Sequence, residues 1–486
     1  MKFRSLIAVS ALALAWTAAP AVAQMNMAGM TMPIPAKKAP TNEPAPEHAH
    51  QSSTQGTTIP VGYDSEQMPQ PQAQSGSTMP TDQGRPGQMN MPMSEHPGHE
   101  MSMTGALGSY PMERESSGTA WQPDTTQHQA LMSTIGDWTL MAHGVLNVVY
   151  DHQSGPRGDG KAFASGMLMG IARRSLGNGT VQFKAMVSPD PLMGASGYPL
   201  LLASGETANG RDRLIDRQHP HDFFMELSAS VSRNIGPKSS VFLYGGLPAE
   251  PAFGPPAFMH REAILDSPEA PITHHWLDST HISFGVVTAG LVLDRVKLEV
   301  SRFNGREPDQ HRWNIETGPL DSTAIRLSWN PTRTLALQGS WGHFVGLEQL
   351  EPDVNQKRWS ASALWANEIA PGWKLAATLA WGRKTAHGHD DDAFATEASL
   401  KHANWTVFGR AELTENRELL AGVETGPAFQ VGKASLGAVR DFPIADHLSF
   451  GAGGLFSLNF VPDSLAPLYG SNNPIGAMAF VRLKLE

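Results

Sequence analysis

Strand-length runs of alternating character, closed at both ends by tryptophan, constrain this chain more than any other feature. Over 373–381 one face carries Trp373, Leu375, Ala377, Leu379 and Trp381, and the other Lys374, Ala376, Thr378 and Ala380. The two tryptophans are eight residues apart, about 26 Å along a strand. At a tilt near 40° they stand roughly 20 Å apart along a membrane normal, close to the two aromatic girdles of a transmembrane barrel. Trp359, Ala361, Ala363 and Trp365 repeat the arrangement, and the alternating runs Ile325, Leu327 and Trp329, and Leu335, Leu337, Gly339 and Trp341, end in tryptophan on one side. Similar runs lie near 138–152, 161–176, 180–188, 223–234, 239–247, 280–289, 291–303, 392–402, 404–413, 421–431, 433–442, 447–460 and 477–485. Short turn signals join many of them: Gly177-Asn178-Gly179, Asn330-Pro331-Thr332, Pro371-Gly372 and His402-Ala403-Asn404. The expected fold is all-β, a transmembrane antiparallel β-barrel of about 16 strands, with 14 and 18 as the neighbouring even counts. A soluble β-sandwich also alternates. Its strands usually run shorter, and small apolar faces ending in tryptophan suit a bilayer better.

The chain opens on an export signal. Lys2 and Arg4 precede an apolar run from Leu6 to Ala18, and Ala21-Val22-Ala23 offers a small-residue cleavage site. Residues 1–23 are read as a signal peptide. The later chain has no apolar stretch near 20 residues, so helical spans are not expected. It has no cysteine, which removes thiolate metal sites, cysteine nucleophiles and iron–sulfur clusters and leaves methionine or histidine to hold a soft metal. A net charge of −10 argues against a nucleic-acid partner. The expected surroundings are outer-membrane lipid.

Residues 24–130 form a second compositional zone, rich in Pro, Gly, Ser, Gln and Met and without helical or strand period. Such a segment buries too little apolar surface to offset its ordering entropy, so it is expected to be a disordered arm, held in the periplasm, before a barrel over 131–486. Its ligands cluster. Met25, Met27, Met30 and Met32 form one group, His48 and His50 a second, and Met89, Met91, Met93, His96, His99, Met101 and Met103 a third. Neutral thioethers suit Cu(I) and imidazoles suit Cu(II) or Zn(II), so copper ions are the expected cargo.

A second candidate set lies in the connections of the first half. His219 and His221 stand two apart in Asp216-Arg217-Gln218-His219-Pro220-His221-Asp222. His260 follows in Met259-His260-Arg261-Glu262, and His274 and His275 in His274-His275-Trp276-Leu277-Asp278. Adjacent histidines face opposite ways on an extended chain, so His274 and His275 share an ion only in an irregular loop. His387-Gly388-His389-Asp390-Asp391-Asp392 reads as a loop tip able to collect cations. The charges of 302–316 are expected at a turn tip or lining the lumen.

A signal peptide, an arm with Met89-Asn90-Met91-Pro92-Met93 and His96-Pro97-Gly98-His99-Glu100-Met101, and a C-terminal barrel together resemble the outer-membrane copper-resistance protein B family. The resemblance is architectural and does not extend to barrel motifs. It implies an outer-membrane protein that binds, sequesters or exports copper, working with periplasmic copper proteins or an efflux system. The alternative expectation is a general diffusion porin with an incidental arm. An outer-membrane enzyme fits less well: Ser301 lies near Asn304, but no histidine stands at strand spacing beside it.

Overall fold

The computed structural model describes residues 103–127, 130–421 and 426–486. Alternation becomes a closed ring. The strands are β1 (Leu131–Ile135), β2 (Trp138–Gln153), β3 (Gly160–Ser175), β4 (Thr180–Val187), β5 (Tyr198–Thr207), β6 (Arg213–Gln218), β7 (Phe224–Gly236), β8 (Ser239–Gly246), β9 (Val286–Leu293) and β10 (Val296–Phe303). They continue as β11 (Ser322–Thr332), β12 (Leu335–Phe344), β13 (Gln356–Ala370), β14 (Trp373–Ala386), β15 (His389–His402), β16 (Trp405–Asn416), β17 (Phe429–Ala445), β18 (Leu448–Phe460) and β19 (Ile475–Leu485). Sixteen strands, β2 to β4 and β7 to β19, pair antiparallel with their neighbours. β19 closes the ring on β2, from Gly476 opposite Gln153 to Leu485 opposite Gly144. No helix is long and apolar enough to cross a membrane among the described residues.

The two strand faces separate as the side-chain period requires. On β10 the outward Leu298 and Val300 are exposed, whereas the inward Lys297, Glu299 and Ser301 are 0% exposed. On β14 Trp373 and Leu379 point outward and Ala376, Thr378 and Ala380 inward. A one-residue slip would send every inward charge into lipid, so the register is strongly specified.

One rim carries short turns, at 237–238, 294–295, 333–334, 371–372, 403–404 and 446–447. The other carries most of the long connections, including 188–223, 247–285 and 304–321. The chain enters β2 and leaves β19 at the short-turn rim, where the Glu486 amide donates to the His447 carbonyl at 2.9 Å.

The lumen is filled. The 188–223 connection folds inward as the β5–β6 hairpin, in which Leu200, Leu201 and Leu202 are 0% exposed. The 247–285 connection packs against it, carrying a single helical turn, α1 (His274–Leu277). Residues 103–127 enter beside the short-turn rim. Lumen-facing Ser232 and Ser240 donate to the Ala106 and Leu107 carbonyls at 2.7 and 2.6 Å, and Asn330 to that of Gln122 at 2.8 Å. Arg326, Arg358 and Lys433 on the wall are almost fully buried. In a water-filled pore they would be wet.

Three sequence expectations change here. Residues 103–127, assigned to the disordered arm, are packed inside, with Tyr110 and Trp121 buried edge to face at 5.1 Å. Of the runs at 421–431 and 433–442, the described residues 426–442 hold one strand rather than parts of two, since β17 runs unbroken over 429–445. The run at 280–289 becomes a strand only from Val286, because Thr280 to Gly285 belong to the inserted connection.

Candidate metal-handling site

The structure gathers methionine in one place. Eleven methionines lie in the described residues. Six of them, Met112, Met132, Met141, Met167, Met169 and Met259, line a cavity of about 590 Å³ reaching the short-turn rim, together with His143 and His260. Met186 and Met225 pack directly behind it with Met167, Met169, Ile282 and Phe284. The strand register builds this wall. His143 lies opposite Met169, and Met169 opposite Met186, so three neighbouring strands present one inward row. Met167 joins the row because residues two apart share a face. The rings of His143 and His260 meet edge to face at 6.4 Å. Thioethers are soft and neutral, and eight of them around one chamber are a ligand supply for a soft cation as well as packing material.

Deeper in the lumen lies a histidine cluster. His219 and His221 come from the connection after β6, His274 and His275 from α1, and His281 from just beyond it. All five are buried. Ring centroids are 5.7 Å apart for His219 and His274, 5.5 Å for His274 and His275, 5.3 Å for His274 and His281, and 5.1 Å for His221 and His281. The outer nitrogens are held. His221 Nδ1 is 2.8 Å from Asp190, His274 Nδ1 2.8 Å from Asp278, His275 Nδ1 3.0 Å from Glu307, and His281 Nδ1 2.7 Å from the Asp278 carbonyl. The Nε2 atoms of His221, His274 and His281 are buried without a hydrogen-bond partner. His219 Nε2 faces Glu206 at 3.2 Å. A buried orphan nitrogen costs about 1–3 kcal/mol, so three in one cluster are not a neutral feature. Among the described residues, no three histidine or carboxylate side chains are already close enough to hold one ion.

The cluster is held by ion pairs. Arg261, fully buried, donates Nε and Nη2 to Glu397 on the wall at 2.8 and 2.7 Å and also pairs with Asp278. Arg312 pairs with Glu206 and, at 3.3 Å, with Asp222. Burial first, then positive neighbours, pushes the His219 and His281 imidazoles well below their usual range. His274 also falls, because burial outweighs Asp278. His275 rises: burial opposes its charge, but Glu307 outweighs burial. Neutral imidazole is the ligand form, so burial readies His219, His274 and His281 for a cation.

The predicted residues therefore divide. His219, His221, His274 and His275 come together, as a shared site requires. His260 does not join them; it lines the methionine chamber. The helical turn lets adjacent His274 and His275 both face the cluster, although their Nδ1 partners diverge. The His387–Asp392 patch is not a free cation collector: Asp391 binds Arg417 at 2.8 Å, Asp392 binds Arg383 at 2.6 Å and His387 contacts Glu351 at 2.8 Å. The 302–316 charges are a loop network rather than a turn tip, since the connection runs from Asn304 to Asp321. Ser301 is buried, 2.7 Å from Thr288 Oγ1, and accepts from the Ala252 amide at 2.8 Å. Met25, Met27, Met30, Met32, His48, His50, Met89, Met91, Met93, His96, His99 and Met101 lie outside the described residues. Met103 is described and accepts from the Met112 amide at 2.8 Å, outside the chamber lining. Sequence reasoning missed His281, His143 and the barrel methionines. Met167-Leu168-Met169, two thioethers on one strand face, was the readable signal.

No protein-family model matches the chain, and no curated protein matches it. Solved structures do. A Salmonella typhi OmpF complex with daunomycin aligns at 10% identity and TM-score 0.46, covering 73% of this chain and 100% of that one. The anion-selective porin from Comamonas acidovorans aligns at 13% and 0.42, covering 72% and 100%. OmpT of Vibrio cholerae aligns at 8% and 0.42, covering 73% and 100%. None of these three names a copper-resistance protein. The assignment rests on the chain's own closed pairing and its apolar outer face. This chain is a transmembrane antiparallel β-barrel.

Proposed function

We propose that the barrel handles a soft metal ion, copper in the first place, by taking it from the periplasmic side into its filled lumen. The observation that carries this is the gathering of eight of the eleven described methionines, with His143 and His260, at one chamber. Short turns of such barrels face the periplasm, so the chamber opens on the periplasmic side. The arm would capture the ion and pass it inward by exchange among neutral ligands, supplied by periplasmic copper proteins or an efflux system. Six basic residues and five acidic ones line the chamber. A nearly balanced wall gives a dication no electrostatic advantage, while thioethers favour Cu(I). Titration of the full mature protein with Cu(I) against a competing chelator tests this. The variant Met167→Leu/Met169→Leu/Met259→Leu should lose at least one bound equivalent, and unchanged stoichiometry and affinity would refute the chamber.

A second reading, a diffusion porin, is favoured by one observation: a ring of sixteen strands is wide enough to leave an aqueous channel if the inserted segments move aside. Steady copper-independent conductance of the wild type in planar bilayers would select it.

A further inference from the structure

We infer that His221, His274 and His281 form an inner site for a borderline divalent cation such as Cu(II), Zn(II) or Co(II), distinct from the thioether chamber. The inference rests on the metal-handling reading only for the idea that metal reaches the lumen; its own evidence is the imidazole geometry. Asp190, Asp278 and the Asp278 carbonyl lie beside the three Nδ1 atoms, and all are acceptors. In the neutral ring each Nδ1 therefore carries the proton, which leaves each Nε2 as a bare lone pair. All three lone pairs are buried and meet no donor. That is the arrangement in which a ligating histidine gives its other N–H to a carboxylate or carbonyl.

The spacing agrees. Two imidazoles bound to one four-coordinate ion through bonds of about 2.0 Å have ring centroids about 5 Å apart. His281 already stands 5.1 Å from His221 and 5.3 Å from His274. The side chains are not yet gathered closely enough to hold one ion, so binding requires the rings to turn toward a common point. Asp190 and Asp278 behind the rings supply compensating negative charge. His219 stands next to the site, but its Nε2 faces Glu206. Imidazole without thioether selects borderline dications over Cu(I).

The test uses the full mature protein in detergent, titrated with Co(II) and followed by the visible absorption of the four-coordinate ion. Comparison with His221→Gln/His281→Gln reads the cluster against any Co(II) held by the arm, and the heat-dependent gel shift of a folded barrel verifies each preparation. The double variant should lose one Co(II) equivalent. Asp190→Asn, which keeps the ligands, should weaken that equivalent by roughly 10–100-fold and covers the case where the double variant does not fold. Equal Co(II) binding by wild type and variants overturns the site. Cu(I) titration of the same samples separates the two readings: loss of Co(II) with Cu(I) binding intact belongs to this cluster, and absence of Cu(I) binding with Co(II) intact overturns the chamber alone.

Discussion

Single buried charges decide how tightly the lumen is filled. Glu250 sits at the start of the 247–285 connection with 4% of its surface exposed, 3.8 Å from Arg326 on the wall. Burial pushes its carboxyl up from 4.5 to about 7, against the pull of Arg326. The folded protein thus binds this proton more tightly than the unfolded chain does. Stability from this residue rises as pH falls from about 7 toward 4.5 and is lost as pH rises through 7. Above pH 8 the ionised carboxylate costs up to about 3 kcal/mol. Glu250→Gln keeps the shape and removes the charge. Thermal unfolding should find the variant more stable than wild type by about 1–3 kcal/mol at pH 8 and level with it at pH 5. A constant difference across that range would show that Glu250 does not carry the penalty.

At the scale of elements, Arg261 fastens the inserted connection to the barrel wall. It joins Asp278, whose carboxyl it holds far below the usual range although burial opposes this, to Glu397. Removing one partner of a buried pair strands the others at a cost of about 3–5 kcal/mol. Arg261→Ala should leave the barrel folded and loosen the connection, seen as faster proteolytic cleavage within 247–285 while the heat-dependent gel shift persists. Unaltered cleavage would mean that packing alone holds the segment. Gly254 marks the same tightness, with φ of 74° and a Cβ position only 2.0 Å from the Leu277 carbonyl. Elements of this kind escaped the sequence reading for a physical reason. A membrane strand shows period two because lipid faces one side, and β14 or β10 could be read from that alternation. β5 is buried on both faces, so Tyr198-Pro199-Leu200-Leu201-Leu202 has no period to read. The histidine pairs were visible in sequence, but His281 looked like the start of a strand. Met259 and Met169, ninety residues apart, meet only because the connection turns inward.

For the whole molecule, the fold puts a channel-sized ring around a charged, largely filled interior, and the two functional readings differ in whether that interior opens. The segment 251–281 brings four acids (Glu262, Asp266, Glu269 and Asp278) and one arginine (Arg261) into the lumen. Those acids neutralise wall cations: Lys433 pairs with Glu269, Arg482 with Asp266 at 2.8 Å, and Lys401 with Asp266 at 3.1 Å. Replacing 251–281 by a short Gly-Ser linker therefore leaves the lumen three charges more positive. It should raise the conductance of a poorly conducting barrel severalfold, since it removes one of the segments that fill a ring wide enough for an aqueous channel. The new current should prefer anions and lose that preference at high salt, because screening shortens the reach of the exposed Lys433 and Arg482. Planar-bilayer recordings of both proteins decide the matter. If the wild type already conducts as freely as the replacement, the inserted segments yield in the membrane and diffusion of small solutes becomes the better account. A closed wild type beside an open, anion-preferring replacement means that the filled lumen is the working state, through which only an ion with its own ligands can be handed inward.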